Sequence, residues 1–233
     1  MTRAKPRIGV VVFPGSNDDR DAAWALSALG GDPVSVWHAD EGLPAVDGVV
    51  LPGGFSYGDY LRPGSIARFS PAMEAVRAFA ADGGLVLGIC NGFQILCEAG
   101  LLPGVLRRNA SLRFVCRDVE VVVERTDTPF TDRCRTGDHL RIPVKHGEGS
   151  WFATEELLAE LQDRRQILLR YAHGDNPNGS VGEVAGVVNE SGNVFGLMPH
   201  PEHAIDPLLG SCDGAVLLAS FLDGAGRPAC AAA

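Results

Sequence analysis

The chain has 233 residues, 45% of them hydrophobic and 21% charged, enough for one large α/β domain whose core needs no disulfide or metal staple. Its formal net charge of -9 argues against nucleic acid or an anionic membrane as a partner, because both attract basic surfaces. No G-x-x-x-x-G-K-[ST] phosphate loop occurs, which argues against a P-loop ATPase.

Strand and helix patterns alternate from the start. Residues 8–13 are an apolar, β-branched run, as expected for a strand covered on both faces. Residues 14–18 break it, and residues 18–29 read as a helix with Ala22, Ala23, Leu26 and Leu29 on one face, closed by Gly30 and Gly31. Short strands are expected at 34–37 and 48–51. A glycine-rich loop, 52–60, follows the second of these. Residues 71–82 read as a helix with Met73, Val76 and Phe79 inward, 85–89 as a strand, and 91–99 as a helix that starts at once. Four short strands with crossover helices imply a doubly wound, mostly parallel sheet with flanking helices, a three-layer sandwich.

The second half is less regular. Strands are expected at 115–123 and 167–171, a helix at 154–162 capped by Thr154, a strand pair at 181–189 and 193–198, and a closing helix at 214–222. The expected organisation is a single domain, 1–223, with a C-terminal tail, 224–233. The six cysteines, Cys90, Cys97, Cys116, Cys134, Cys212 and Cys230, form no C-x-x-C pair and have no zinc spacing, so free thiols in a reducing cytoplasm, and no metal, are expected. The run at 8–13 is too short for a signal core or a membrane span.

Two segments carry candidate chemistry. Gly88-Ile-Cys90-Asn-Gly92 places a cysteine between a strand and a helix, with a glycine two positions to either side. The pattern resembles a nucleophile elbow, in which a sharp turn lifts the reactive atom above the carboxyl edge of the sheet. The following helix start favours a thiolate and a developing oxyanion. On this segment alone a buried, inert thiol is as good a reading. His200-Pro201-Glu202 follows the last expected strand and supplies a base and an orienting carboxylate two residues apart. An extended segment would turn both side chains the same way, and Pro201 favours extension of His200. Alone, this triplet is read as a solvated turn. Paired with the elbow, it is read as the rest of a triad.

Residues 88–94 together with Pro199-His-Pro-Glu202 resemble the class I, or triad, glutamine amidotransferases. The segments 13–17, 52–59, 109–117, 146–149 and 176–180 extend the resemblance over nearly the whole chain, and Asn91-Gly-Phe-Gln94 and Ser111-Leu-Arg-Phe-Val-Cys-Arg117 point to the branch serving de novo purine synthesis. The resemblance implies a flavodoxin-like sandwich and a glutaminase that uses Cys90, His200 and Glu202. It implies an oxyanion held by the N–H groups of Asn91 and of Gly54 or Phe55, and a glutamine pocket lined by Gly53, Gly54 and Gln94. It implies no cofactor in this chain. Its implied partners are a large synthetase subunit, which uses ATP and Mg, and a small accessory subunit. His146 and Glu148 fit either a place near the pocket or a polar loop. Asp18, Ser150 and His203 depart from the pattern, where Cys, Arg and Arg are usual, and are expected to bear on contacts with partner subunits. The alternatives are a glutaminase subunit of another class I amidotransferase, a cysteine peptidase or stress protein of the same broad fold, and a binding module with an inert cysteine.

Overall fold

The computed structural model describes residues 5–227. In chain order the elements are β1 (Arg7–Val12), α1 (Asp19–Ala28), β2 (Asp32–Trp37), β3 (Gly48–Leu51), α2 (Pro71–Ala81), β4 (Leu85–Ile89), α3 (Asn91–Glu98), β5 (Val105–Arg107), β6 (Val115–Val123), β7 (His139–His146), β8 (Ser150–Phe152), α4 (Glu155–Asp163), β9 (Ile167–Tyr171), β10 (Val184–Val188), β11 (Val194–Leu197) and α5 (Gly214–Ala225). The closing helix runs three residues past the expected 222, so the expected tail boundary at 224 falls inside it. Residues 228–233, with Cys230, lie outside the described residues.

Nine strands form one sheet in the order β2-β1-β3-β4-β11-β10-β9-β6-β7, and β5 pairs with β8 apart from it. From β2 to β11 every pairing is parallel. From β11 to β7 every pairing is antiparallel. Reversal at each of these last pairings leaves only β10 and β6 pointing against the rest, so most strands share one direction. The parallel half carries the buried runs the sequence announces, such as Val49, Val50 and Leu51, all fully buried.

Helices cover both faces. Phe195 lies 5.3 Å from Phe130, which stacks on Phe221 of α5 at 6.1 Å. Its neighbour in β11, Gly196, faces Phe93 of α3. Successive strand residues point to opposite faces, so α3 and α5 flank the sheet on opposite sides. The expected cap of α4 forms, with the Leu157 N–H donating to Thr154 Oγ1 at 3.2 Å.

Strands β5, β7 and β8 lie beyond the expected elements. In β7, Leu140, Ile142, Val144 and His146 are buried in alternation, a period of two interrupted as a signal by Pro143. The structure tolerates that proline because β7 is the edge strand of the sheet. Among the described residues no helix is long and apolar enough to cross a membrane.

Candidate active site

β4 ends at Ile89 and α3 begins at Asn91, leaving Cys90 alone to turn the chain, with φ 50° and ψ -101°. A non-glycine residue pays for such a conformation in strain, of order 1–3 kcal/mol, and tolerates it only where its surroundings fix it. Those surroundings are tight. A Cβ on Gly92 would collide with the backbone carbonyl of Leu51, and one on Gly88 would come within 2.8 Å of the Gly92 carbonyl. Gly92 is therefore set by the closeness of β3 to the elbow, and Gly88 by the first turns of α3. Cys90 stands at the carboxyl end of β4, the central part of the parallel half, and is 5% exposed.

His200 and Glu202 follow β11, which pairs with β4. The route differs from the extended segment expected. Pro201–His203 form a short 3-10 turn, because a proline at the first position presets the helical φ. The turn still brings the groups together. His200 Nδ1 lies 2.6 Å from Glu202 Oε1, both side chains are essentially inaccessible, and the His200 N–H donates to the Pro143 carbonyl at 2.8 Å. A buried carboxylate at this distance fixes the imidazole with its proton on Nδ1 and leaves Nε2 free. Nε2 has no well-formed hydrogen bond, yet the Cys90 sulfur is near enough to act on the ring by charge and as a weak hydrogen-bond partner. Such contacts are commonly loose without substrate. Burial by itself disfavours the imidazolium, but Glu202 and then Cys90 outweigh it and raise the His200 pKa.

A cavity of about 160 Å³ opens at Cys90, walled by Gly54, Phe55, Gln94, Phe114, His146 and Glu148 among others. A larger cavity, about 380 Å³, lies at the other end of the sheet near Asp47 and Leu85 and is lined by no cysteine, serine, threonine or histidine. Around the smaller one, side-chain amides of α3 tie two loops to the helix. The Ser56 N–H donates to Asn91 Oδ1 at 3.2 Å, Asn91 Nδ2 to Gln94 Oε1 at 2.9 Å, and Gln94 Nε2 to the Glu148 carbonyl at 2.5 Å. Of the two alternative oxyanion donors, the Phe55 N–H already donates to the Gly15 carbonyl at 2.9 Å. This removes Phe55 as a donor, and its ring lines the cavity instead. Gly53 is not on the cavity wall. A Cβ there would meet Asp18 and lie 2.7 Å from His200 Cε1, so its bareness makes room for the imidazole.

His146 and Glu148 both reach the cavity. Burial first, and the positive charge of His200 second, push the His146 pKa down to about 4. Its ring is held by Asn109 Oδ1 at 3.1 Å, which also accepts from the Gly149 N–H at 2.9 Å. Asp59, which the sequence reading passes over, also lines the cavity. Burial and then the charge of Glu148 raise its pKa to about 6. Its signal was a carboxylate inside the glycine-rich loop.

The departures from the family pattern do not all face outward. Ser150 is buried and donates to the Gly179 carbonyl at 3.1 Å. Asp18 and His203 meet each other and the triad. Asp18, His200, Glu202 and His203 present ligand atoms within 4.8 Å of one another, but the Lys145 ammonium lies 2.5 Å from Asp18 and 2.9 Å from His203 and supplies the positive charge there itself. Cys97 packs against the core, and its thiol contacts the Pro103 carbonyl at 3.7 Å.

Known proteins are similar to this chain in sequence and fold. Residues 5–214 match the CobB/CobQ-like glutamine amidotransferase domain. The chain is 59% identical over 219 residues to the phosphoribosylformylglycinamidine synthase subunit PurQ of Rubrobacter xylanophilus, covering 94% of this chain and 99% of the relative. It is 55% identical to the subunit of that name from Salinibacter ruber over 225 residues, 93% of this chain and 96% of the relative. Its fold matches a chain of the solved PurLQS of Thermotoga maritima with a TM-score of 0.87 at 46% identity, covering 94% and 99% of the two chains. A further glutamine amidotransferase structure from the same organism, 17% identical with a TM-score of 0.64 and covering 97% and 100%, shares the fold. The chain belongs to the CobB/CobQ-like glutamine amidotransferases.

Proposed function

We propose that this chain is the glutaminase subunit of a phosphoribosylformylglycinamidine synthase. The observation that carries the reading is the buried His200–Glu202 pair beside a strained Cys90 at the carboxyl ends of adjacent parallel strands, in a chain whose relatives of 54–59% identity bear that enzyme's name. Those names also favour the purine branch over other class I amidotransferases, peptidases and stress proteins.

In this reading the Cys90 thiolate attacks the side-chain carbonyl carbon of glutamine. The oxyanion is received by the N–H groups of Asn91 and Gly54, neither of which donates a hydrogen bond among the described residues. His200, protonated on Nε2, gives its proton to the leaving nitrogen, and ammonia departs from a γ-glutamyl thioester. His200 then takes a proton from water, the hydroxide displaces the sulfur, and glutamate leaves. Glu202 holds the imidazole in the required tautomer throughout. Gln94 walls the pocket.

Ammonia must reach its acceptor before water protonates it, so the chain works with partners: a large synthetase subunit that converts formylglycinamide ribonucleotide with ATP and Mg, and a small accessory subunit, in the cytoplasm. Exposed Phe55 and Phe114, a tilted ring pair 6.4 Å apart at the cavity wall, together with Leu61 and Leu112, suit a face that docks on such a partner. The test is Cys90→Ala in the complex. Glutamine-dependent turnover should disappear while turnover with added ammonia remains. A variant that still uses glutamine at the wild-type rate would refute the reading.

A further inference from the structure

Behind the imidazole lies a charged cluster for which the mechanism above has no use. Asp18, in the connection from β1 to α1, is 5% exposed, and its Oδ2 is 3.7 Å from His200 Nδ1. Its Oδ1 accepts from the Lys145 ammonium at 2.5 Å. His203 Nε2 lies 3.4 Å from that same oxygen and 3.6 Å from Glu202 Oε1. Nδ1 of His200 thus faces two carboxylates, one in hydrogen-bond contact and one just beyond it. Gly53 leaves the space that both the imidazole and the second carboxylate occupy.

Burying a carboxylate is unfavourable unless it is paired. Burial alone would raise the Asp18 pKa, but His203, His200 and Lys145 together hold it well below the usual carboxylate range. Asp18 is therefore an anion whenever the enzyme works. Its charge favours the imidazolium over the neutral ring, and the Lys145 charge opposes that effect.

We propose that Asp18 is a second positioning carboxylate for His200, and that Lys145 sets how strongly it acts on the ring. The inference rests on the reading of His200 as the acid and base of the glutaminase. The charged and titratable groups that face the ring are Glu202 and His203 from its own turn, Asp18 from the β1–α1 connection, Cys90 from the elbow and His146 from β7, with Lys145 of β7 behind Asp18 and in contact with it. Asp21 of α1 reaches only His203, at 4.0 Å. His146 stays neutral at working pH.

The sign of each substitution follows. The alkaline limb of kcat/KM marks loss of the imidazolium proton that ammonia release needs. Asp18→Asn removes a negative charge near the ring and moves that limb to lower pH. Lys145→Met removes a positive charge and moves it to higher pH. A carboxylate within about 4–6 Å, as Asp18 is at 3.7 Å, shifts a neighbouring pKa by about one unit or more, and Lys145 acts on the ring through the Asp18 charge it pairs with. A purely structural role would lower activity without moving either limb, and would not give opposite signs.

The experiment measures glutamate release against pH for wild type, Asp18→Asn, Lys145→Met and Cys90→Ala, each in the complex purified with its native partners. The expected result is a limb about one unit lower in Asp18→Asn and displaced upward in Lys145→Met. If Asp18→Asn does not fold, Lys145→Met decides alone. Limbs that coincide with wild type, or that move the same way, overturn the inference while an inactive Cys90→Ala keeps the glutaminase reading. An active Cys90→Ala would bring down that reading itself.

Discussion

Replacing Glu202 by glutamine tests the centre of the site with almost no change of shape. The carboxylate is buried, 1% exposed, and 2.6 Å from His200 Nδ1, while its Oε2 has no hydrogen-bond partner. Nothing else shares its charge-assisted bond to the ring. Such a bond is worth about 1.5–3 kcal/mol, which corresponds to about 10- to 150-fold in rate. The amide cannot stabilise an imidazolium as a carboxylate does, and it can hold the ring in the wrong tautomer. The remaining carboxylate, Asp18 at 3.7 Å, argues for the lower part of that range. Because Glu202 is not on the cavity wall, the loss belongs in kcat, with KM for glutamine nearly unchanged. The assay is glutamate release from sub-saturating to saturating glutamine. An unchanged kcat would show that the pair does not orient the base. A rise in KM alone would place Glu202 in binding rather than chemistry. Activity as low as that of Cys90→Ala would contradict the support assigned to Asp18.

Two further outcomes follow from packing and burial. Gly92→Ala places a methyl group against the Leu51 carbonyl, so the elbow must shift, and we expect a lower melting temperature and at least a tenfold loss of glutaminase rate. A normal rate would mean that the turn has more room than its geometry allows. His146 carries a folded pKa near 4 against 6.5 for the ordinary group, so the unfolded chain takes up its proton first as pH falls. The stability conferred by burying the neutral ring is present above pH 6.5 and is lost between pH 6.5 and 4, about 3 kcal/mol in all. Denaturant unfolding should show that slope in wild type and a shallower one in His146→Gln, and identical slopes would remove His146 as its source.

The parallel half of the sheet was legible because its strands are short, apolar on both faces and separated by amphipathic helices, so that 48–51 and 85–89 coincide with β3 and β4. The elbow was legible for a similar reason: a strand, a turn and a helix within ten residues leave the cysteine only one place to stand. β7 was not, since Pro143 breaks its alternation and only an edge position explains how a strand accommodates it. The turn at Pro201–His203 was expected to be extended, because a proline restrains the residue before it but also starts helical turns.

The sequence by itself determined the chemistry available: one cysteine between glycines at a strand end, and a histidine with a carboxylate two residues on, after the last strand. Local rules of chain geometry suffice for that, since each depends on neighbours within a few residues. Only the tertiary structure decided which distant groups act on the imidazole. Asp18, 127 residues before Lys145 in the chain, reaches His200 because β1 and β11 end at the same rim of the sheet. Charge acts through space rather than along the chain, so Asp18 and His203, which sequence reasoning assigned to a partner surface, lie against the His200 imidazole.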